Sequence, residues 1–317
     1  MPVEHQQSPK DETISILYWN VKLTLPKLEK DGTVKNPGNI ENIKVAIEGL
    51  ISNNNIDPDF IFLSDFVDKD ENAVTQLLPN GYLSKYRGAD FESKKRPIVL
   101  FYKSNYEKRM DYAKDIADQN SILKKDNFAV FDLQTPDNKL LARLIPVHFK
   151  SNLNVTPLEQ MFDVRMDLEA LGGVSQQNPE CTFIFGDFNC SPWDMLFNHP
   201  DGLITTPIIL SSDHKRKINN DSYNCYYNPS WNLLGNHRNE FSRVPSYEYG
   251  SQIGEPRHRL FDQLLMPLPA KKLFVPESLC IINQINTDIH LWKEKLLGPT
   301  SGYSDHLPLF FQIRLKS

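Results

Sequence analysis

Short apolar runs that end on a polar residue recur along the whole chain, and they constrain the fold more than any bulk property. ISILYWNV (14–21), DFIFLS (59–64), PIVLFYK (97–103), RLFDQLLM (259–266), SLCIINQI (278–285) and SDHLPLFFQIRL (304–315) read as strands. CTFIFGDFNCSPWD (181–194) carries the pattern furthest. Thr182, Phe183, Ile184 and Phe185 favour a strand and run into Gly186, Asp187, Phe188 and Asn189. Asp and Asn at a strand end serve two purposes. Their short side chains bond nearby backbone in turns, and their oxygens suit a hard metal or a reacting phosphate.

FAVFDLQT and LLARLIPVHFK read as a hairpin around Pro136, Asp137 and Asn138. Helical patterns lie between the runs. Ile40, Ile43, Ile47, Leu50 and Ile51 recur at helical spacing. DKDENAVTQLL carries acids in its first turn, where the helix dipole favours them. Residues 105–126 are polar and read as helical. Thr156, Pro157 and Glu159 form a helix start with a capping residue, a proline at the first position and an acid three residues after the cap. Met161, Val164, Leu168 and Leu171 make that helix's buried stripe, and Gly172-Gly173 is its expected end. Residues 194–256 read as irregular. Strands with helices between them, plus hairpins, predict an α/β architecture with a layered sheet core. Residues 1–12 read as a disordered lead-in and 13–317 as one catalytic domain.

Composition narrows the function. Of 317 residues, 40% are hydrophobic, with 18 Phe, 12 Tyr and 4 Trp, which is enough for a sizeable core. The net charge is −5, whereas a protein that grips long nucleic acid by charge alone is usually basic. A metal in the site can supply positive charge locally. None of the four cysteines forms C-x-x-C, which argues against a zinc or thioredoxin-like site. The polar start of the chain lacks the apolar core of a signal peptide, and no apolar run reaches the length of a membrane span. The expectation is a soluble cytoplasmic protein without a membrane segment.

The polar residues that close or interrupt the apolar runs are Asn20, Asp65, His148, Asp187, Asn189, Asp262, Asp305 and His306. Singly, each is accounted for by a turn or a satisfied buried group. Together, carboxylates, amides and histidines at strand ends are the residues that metal-assisted phosphoester chemistry uses. Ser-Asp-His occurs twice. Ser212-Asp213-His214 leads into Lys215-Arg216-Lys217 and reads as a solvated basic loop. Ser304-Asp305-His306 leads into a strand, and a rigid element is where a site can be held in place.

The order WN, FLSD, HFKS, GDFN, FDQLL, SDHLP resembles the endonuclease/exonuclease/phosphatase superfamily, the deoxyribonuclease I-like fold, over about residues 14–315. The resemblance implies a four-layer α/β sandwich of two packed mixed sheets, with the site at one end. It implies Mg²⁺, with Mn²⁺ as a substitute, near Asn20, Asp65 and Asp305. It implies that Asp187 and Asn189 orient the attacking water and the scissile phosphate. His306, paired with Asp262, would act on phosphate or water, and His148 would be a second phosphate-contacting histidine. Two departures stand out. The family usually has Glu where this chain has Asp65, and deoxyribonuclease-like members place an acid where it has Arg96, with Glu92 the nearest upstream acid. An arginine there suits a substrate phosphate instead. The implied activity is a Mg²⁺-dependent phosphodiesterase on DNA or RNA. The basic clusters Lys94-Lys95-Arg96 and Lys215-Arg216-Lys217 would flank the nucleic-acid backbone. The alternatives are hydrolysis of a smaller phosphoester (a phosphoinositide, a sphingomyelin-like lipid or a nucleotide) and a binding module that kept the fold and lost the chemistry.

Overall fold

The computed structural model describes residues 12–24, 27–28, 33–36, 38–53, 56–66, 71–85, 98–112, 127–151, 156–208, 215–235, 246–248, 258–286, 289–293, 298–299 and 302–315. The apolar runs form two mixed sheets. The first contains β1 (Glu12–Leu23), β2 (Phe60–Phe66), β3 (Tyr82–Lys85) and β4 (Val99–Lys103). The second contains β5 (Met110–Tyr112), β6 (Phe131–Gln134), β7 (Leu140–His148), β8 (Thr182–Asp187), β9 (Thr205–Thr206), β10 (Tyr226–Tyr227) and β11 (Asp262–Pro267). The chain then returns to the first sheet with β12 (Phe274–Ile281) and β13 (Leu309–Leu315). Strand order is β12-β13-β1-β2-β4-β3 in one sheet and β9-β10-β11-β8-β7-β6-β5 in the other. β1 runs parallel to β2, and β8 parallel to β7, while their other neighbours are antiparallel.

Burial explains why the central strands read as continuous apolar runs. Both faces of these strands are covered, so alternation with polar residues is lost. Phe183 and Phe185 of β8 turn to the core shared with the first sheet, while Ile184 between them turns to the opposite face. Phe185 makes edge-to-face contacts with Phe62 of β2 and Phe311 of β13 at centroid distances of 5.0 and 5.2 Å, which lock the sheets together. Ile43, Ile47 and Leu50 of helix α1 (Ile40–Ser52) and Ala73 and Leu77 of helix α2 (Glu71–Leu77) join this cluster. Met161 of helix α3 (Pro157–Asp163), with Leu168, Leu171 and Val174 of helix α4 (Arg165–Gln177), covers the other face of the second sheet. Helix, sheet, sheet and helix make the four expected layers. Among the described residues, no helix is long and apolar enough to cross a membrane.

The start of α3 follows its sequence signal. Thr156 Oγ1 accepts the Glu159 N–H, and the Glu159 carboxylate accepts the Thr156 N–H at 2.7 Å. Thr156→Ala is expected to lower unfolding stability by about 1 kcal/mol, read by urea denaturation. The end of the helix differs from expectation. The chain breaks at Val164 and then stays helical through Gly172 and Gly173 to Gln177, with the Asn178 cap at φ −138°. Neither glycine has a positive φ, so neither is a helix stop.

Other elements also differ. Met110–Tyr112, within the stretch read as helical, is an edge strand paired with β6, while 113–126 lie outside the described residues. Residues 194–256 contain β9, β10, a short helix at Trp231–Gly235 and a hairpin of Lys215–Ile218 with Asp221–Asn224. Lys215, Arg216 and Lys217 are exposed on that hairpin, where cross-strand pairing supplies order that polar composition concealed. Asp262 opens its strand instead of interrupting it. Residues 1–11 lie outside the described residues, and Glu12 is already the first residue of β1.

Candidate active site

Strand register assembles the site. Parallel pairing sets Asp187 beside His148, and antiparallel pairing sets it opposite Asp262. Three central strands of the second sheet therefore deliver an Asp, a His and an Asp at the same level. The first sheet supplies the facing wall. Asn20 pairs with Ser64, which places Asp65 one residue beyond, at the same end of the sheet. Ser304 Oγ donates to the Asn20 carbonyl at 2.6 Å, and Trp19 Nε1 donates to the His306 carbonyl at 2.9 Å. These two bonds hold the Ser304-Asp305-His306 turn against β1.

Gly186 is what lets the sheets close here. It lies within β8 at φ +133°, and a Cβ on it would meet the Val147 carbonyl oxygen at 2.2 Å and the Tyr18 ring at 2.9 Å. Tyr18 Oη reaches past it to donate to that same Val147 carbonyl at 3.0 Å. The sequence marks Gly186 as a strand exit, whereas in the structure it lies within the strand, where the Val147 carbonyl and the Tyr18 ring leave no room for a Cβ.

Asp187 is the centre. It is fully buried. Its Oδ1 accepts the Asn189 N–H at 2.8 Å, while Oδ2 accepts Asn20 Nδ2 at 2.9 Å and Asn189 Nδ2 at 3.0 Å. Asn189 has φ 51°, a conformation asparagine tolerates, and also donates to the Phe149 carbonyl. The Nε2 atoms of His148 and His306 each lie 3.7 Å from Asp187 Oδ2. His306 Nδ1 donates to Asp262 Oδ2 at 2.8 Å.

Burial sets the electrostatics. It pushes the Asp187 carboxyl well above the usual carboxylate range; the His306 charge pulls it down, and Asp262 pushes it up again. For His306, burial disfavours the charged form, but the carboxylates of Asp262 and Asp187 outweigh it and hold the ring protonated. The result is a buried imidazolium between two acids. Among the described residues, Asp187, Asp262 and His306 also have potential ligand atoms within 4.8 Å of one another, but an imidazolium bonded to Asp262 offers an ion no lone pair.

Direct contacts thus join Asn20, His148, Asp187, Asn189, Asp262 and His306. Asp305 is adjacent, with Oδ2 on Lys22 Nζ and Oδ1 buried without a hydrogen bond among the described residues. Asp65 is 6% exposed and has φ 62°. That conformation gives a physical reason for aspartate here, because Asp adopts the left-handed region more readily than Glu. Arg96, Glu92, Lys94, Lys95 and Ser212-Asp213-His214 lie outside the described residues.

Several supporting residues escaped the sequence reading. Ser246 Oγ accepts the N–H groups of Phe261 and Asp262, and its carbonyl accepts the Leu307 N–H, so it ties β11 to the His306 turn. The Tyr247 ring stacks on Phe261 and lies 4.6 Å from the His306 ring. Both sit in a stretch with no periodic pattern. Only Ser304 carried a signal, as the first residue of its tripeptide.

No family model matches the chain, and no curated protein matches it. Solved structures do. The AP endonuclease LMAP from Leishmania major aligns with a TM-score of 0.55 at 11% identity, covering 99% of this chain and 91% of that one. Humanized D. rerio TDP2 aligns at 0.53 and 16% identity, covering 95% and 98%. D. rerio TDP2 in complex with a single-strand DNA product aligns at 0.51 and 15% identity, covering 96% and 99%. At these identities the likeness speaks to architecture, and it extends over nearly the full length of each chain. The chain shares the fold of these proteins, the deoxyribonuclease I-like fold.

Proposed function

We propose that the protein is a Mg²⁺-dependent phosphodiesterase that cleaves the backbone of nucleic acid with an activated water. The observation that carries this reading is Asp187 Oδ2, which two amides orient while two histidine nitrogens stand 3.7 Å away. A turn residue needs no such surroundings. The complex of the similarly folded TDP2 with a single-strand DNA product supports nucleic acid as the substrate class.

The residues present fit a hard dication. Asp305 Oδ1 is a buried acceptor without a hydrogen bond among the described residues, and carboxylate and amide oxygens suit Mg²⁺. Asn20, Asp65 and Asp305 would hold it, and bound there it neutralises charge on a phosphoryl oxygen. Asp187, fixed by Asn20 and Asn189, orients the water and takes its proton. The His306 imidazolium, held by Asp262, donates to a phosphoryl oxygen as charge builds. His148 donates to another, and Asn189, whose amide hydrogens bond Asp187 and the Phe149 carbonyl, acts by holding Asp187 in place. Arg96 is assigned a substrate phosphate on its sequence position alone.

The test is a panel of single- and double-stranded DNA and RNA alongside small phosphoesters, titrated with Mg²⁺ and Mn²⁺, with Asp187→Ala as the blank. Cleavage of an oligonucleotide above the blank is expected. Faster hydrolysis of a small phosphoester than of any oligonucleotide would reassign the substrate.

Asp65→Glu separates two effects. The longer arm is expected to tighten Mn²⁺ binding in calorimetry. The left-handed backbone is expected to lower stability by about 1 kcal/mol in chelator. Unchanged metal affinity would remove Asp65 from the metal shell.

A further inference from the structure

Lys22 brings a positive charge to a carboxylate that the proposed metal requires. Between Asn20 and Leu23, β1 loses and regains register with β2. Lys22 sits in this irregularity at φ 41°, a left-handed conformation uncommon for lysine. Its N–H donates to Asn20 Oδ1 at 3.2 Å, so the bend is anchored on a site residue. Its Nζ crosses to the turn before β13 and donates to Asp305 Oδ2 at 2.5 Å. The lysine side chain is 55% exposed and that of Asp305 28%. One carboxylate oxygen of Asp305 thus carries an ammonium, while the other is buried with no hydrogen bond among the described residues.

The geometry points to Lys22 as the resident cation of Asp305, which holds that carboxylate in place through Oδ2 and repels a divalent ion that takes the buried Oδ1. The inference rests on the assignment of Asp305 to the metal shell. A strained backbone that persists in a structure is held by its surroundings and clusters at functional sites. Here it aims an ammonium at the carboxylate that would take the ion. The competition is limited, because an exposed lysine–aspartate pair is weak. The repulsion therefore lowers metal affinity without preventing binding. Two unit charges 4 Å apart repel by about fivefold in an equilibrium constant in water, and a dication squares that factor.

The experiment is calorimetric titration of Mn²⁺ into the full chain at low salt, for the wild type, Lys22→Met, Lys22→Gln, Lys22→Arg and Asp305→Asn. Melting curves in chelator identify which variants are folded. Lys22→Met and Lys22→Gln are expected to bind Mn²⁺ about five- to thirtyfold more tightly than the wild type. The gain should shrink as NaCl is added, and Lys22→Arg should stay near the wild-type value. Affinity within twofold of wild type, or weaker, in the neutral variants overturns the inference while leaving the metal site standing. Wild-type protein that binds no Mn²⁺, or Asp305→Asn that binds it as well as wild type, overturns both.

Discussion

His306→Ala is expected to lower phosphodiester cleavage by roughly 10²–10⁴-fold, with Asp187→Ala losing a similar factor. In the proposed reaction the two residues act on opposite partners: Asp187 would face the water, and the His306 imidazolium, backed by Asp262 at 2.8 Å, the phosphate. Single-turnover rates at saturating metal check the prediction, and a loss under about tenfold in both variants would place the chemistry elsewhere. A second readout follows from charge. Removing the imidazolium leaves two buried carboxylates at paired positions of neighbouring strands. The metal-free variant should therefore lose stability steeply as pH rises and Asp187 ionises beside Asp262.

The wild type in chelator has the same sign. Asp187 is raised in the folded state from 3.8 to about 7, so its contribution is present below its unfolded value and lost as pH rises through that range. His306 is raised from 6.5 to about 10, so its contribution is full below 6.5 and lost as pH climbs towards 10. Melting temperature in chelator should thus fall from mildly acidic to alkaline pH. A rise over that window would contradict the buried arrangement.

The sequence carries the candidate site residues well because rigid strands display them. Asp187 and His148 end their strands, Asp262 opens one, and each follows or precedes a run whose burial makes it recognisable. It carries the support around them poorly. Ser246 and Tyr247 reach the site through contacts with Phe261 and His306, distant in sequence, and nothing in their local spacing encodes that. Helix ends show the same limit. Gly172-Gly173 has the composition of a stop, but α4 continues because Leu171 and Val174 on either side are buried against the sheet. Packing there outweighs a propensity cost of about 1 kcal/mol per glycine. The bulge at Lys22 is invisible for a different reason. Lysine is no signal of a left-handed backbone, and the cause lies in bonds to Asn20 and Asp305.

Gly186→Ala is expected to be the most damaging single methyl group that can be added to this chain among the positions considered. Two costs add. The backbone stands at φ +133°, where residues with a Cβ are strained by about 1–3 kcal/mol. The new Cβ would also sit 2.2 Å from the Val147 carbonyl oxygen and 2.9 Å from the Tyr18 ring, and overpacking of this kind costs typically 1–3 kcal/mol more. Relief by movement is blocked on every side. Val147 is fully buried in β7, Tyr18 is tied to Ser64 and to Val147 itself, and Gly186 pairs with strands to left and right. A loss of at least about 3 kcal/mol in urea unfolding should result. Activity should fall with it even where the variant stays folded, because the displaced residue is bonded directly to Asp187. Gly172→Ala is the matched control. It lies in a helix, nothing stands within 4 Å of its added Cβ, and the substitution should stabilise by about 0.5–1 kcal/mol. If both variants changed stability alike, close approach at Gly186 would not be what joins the two sheets at the site.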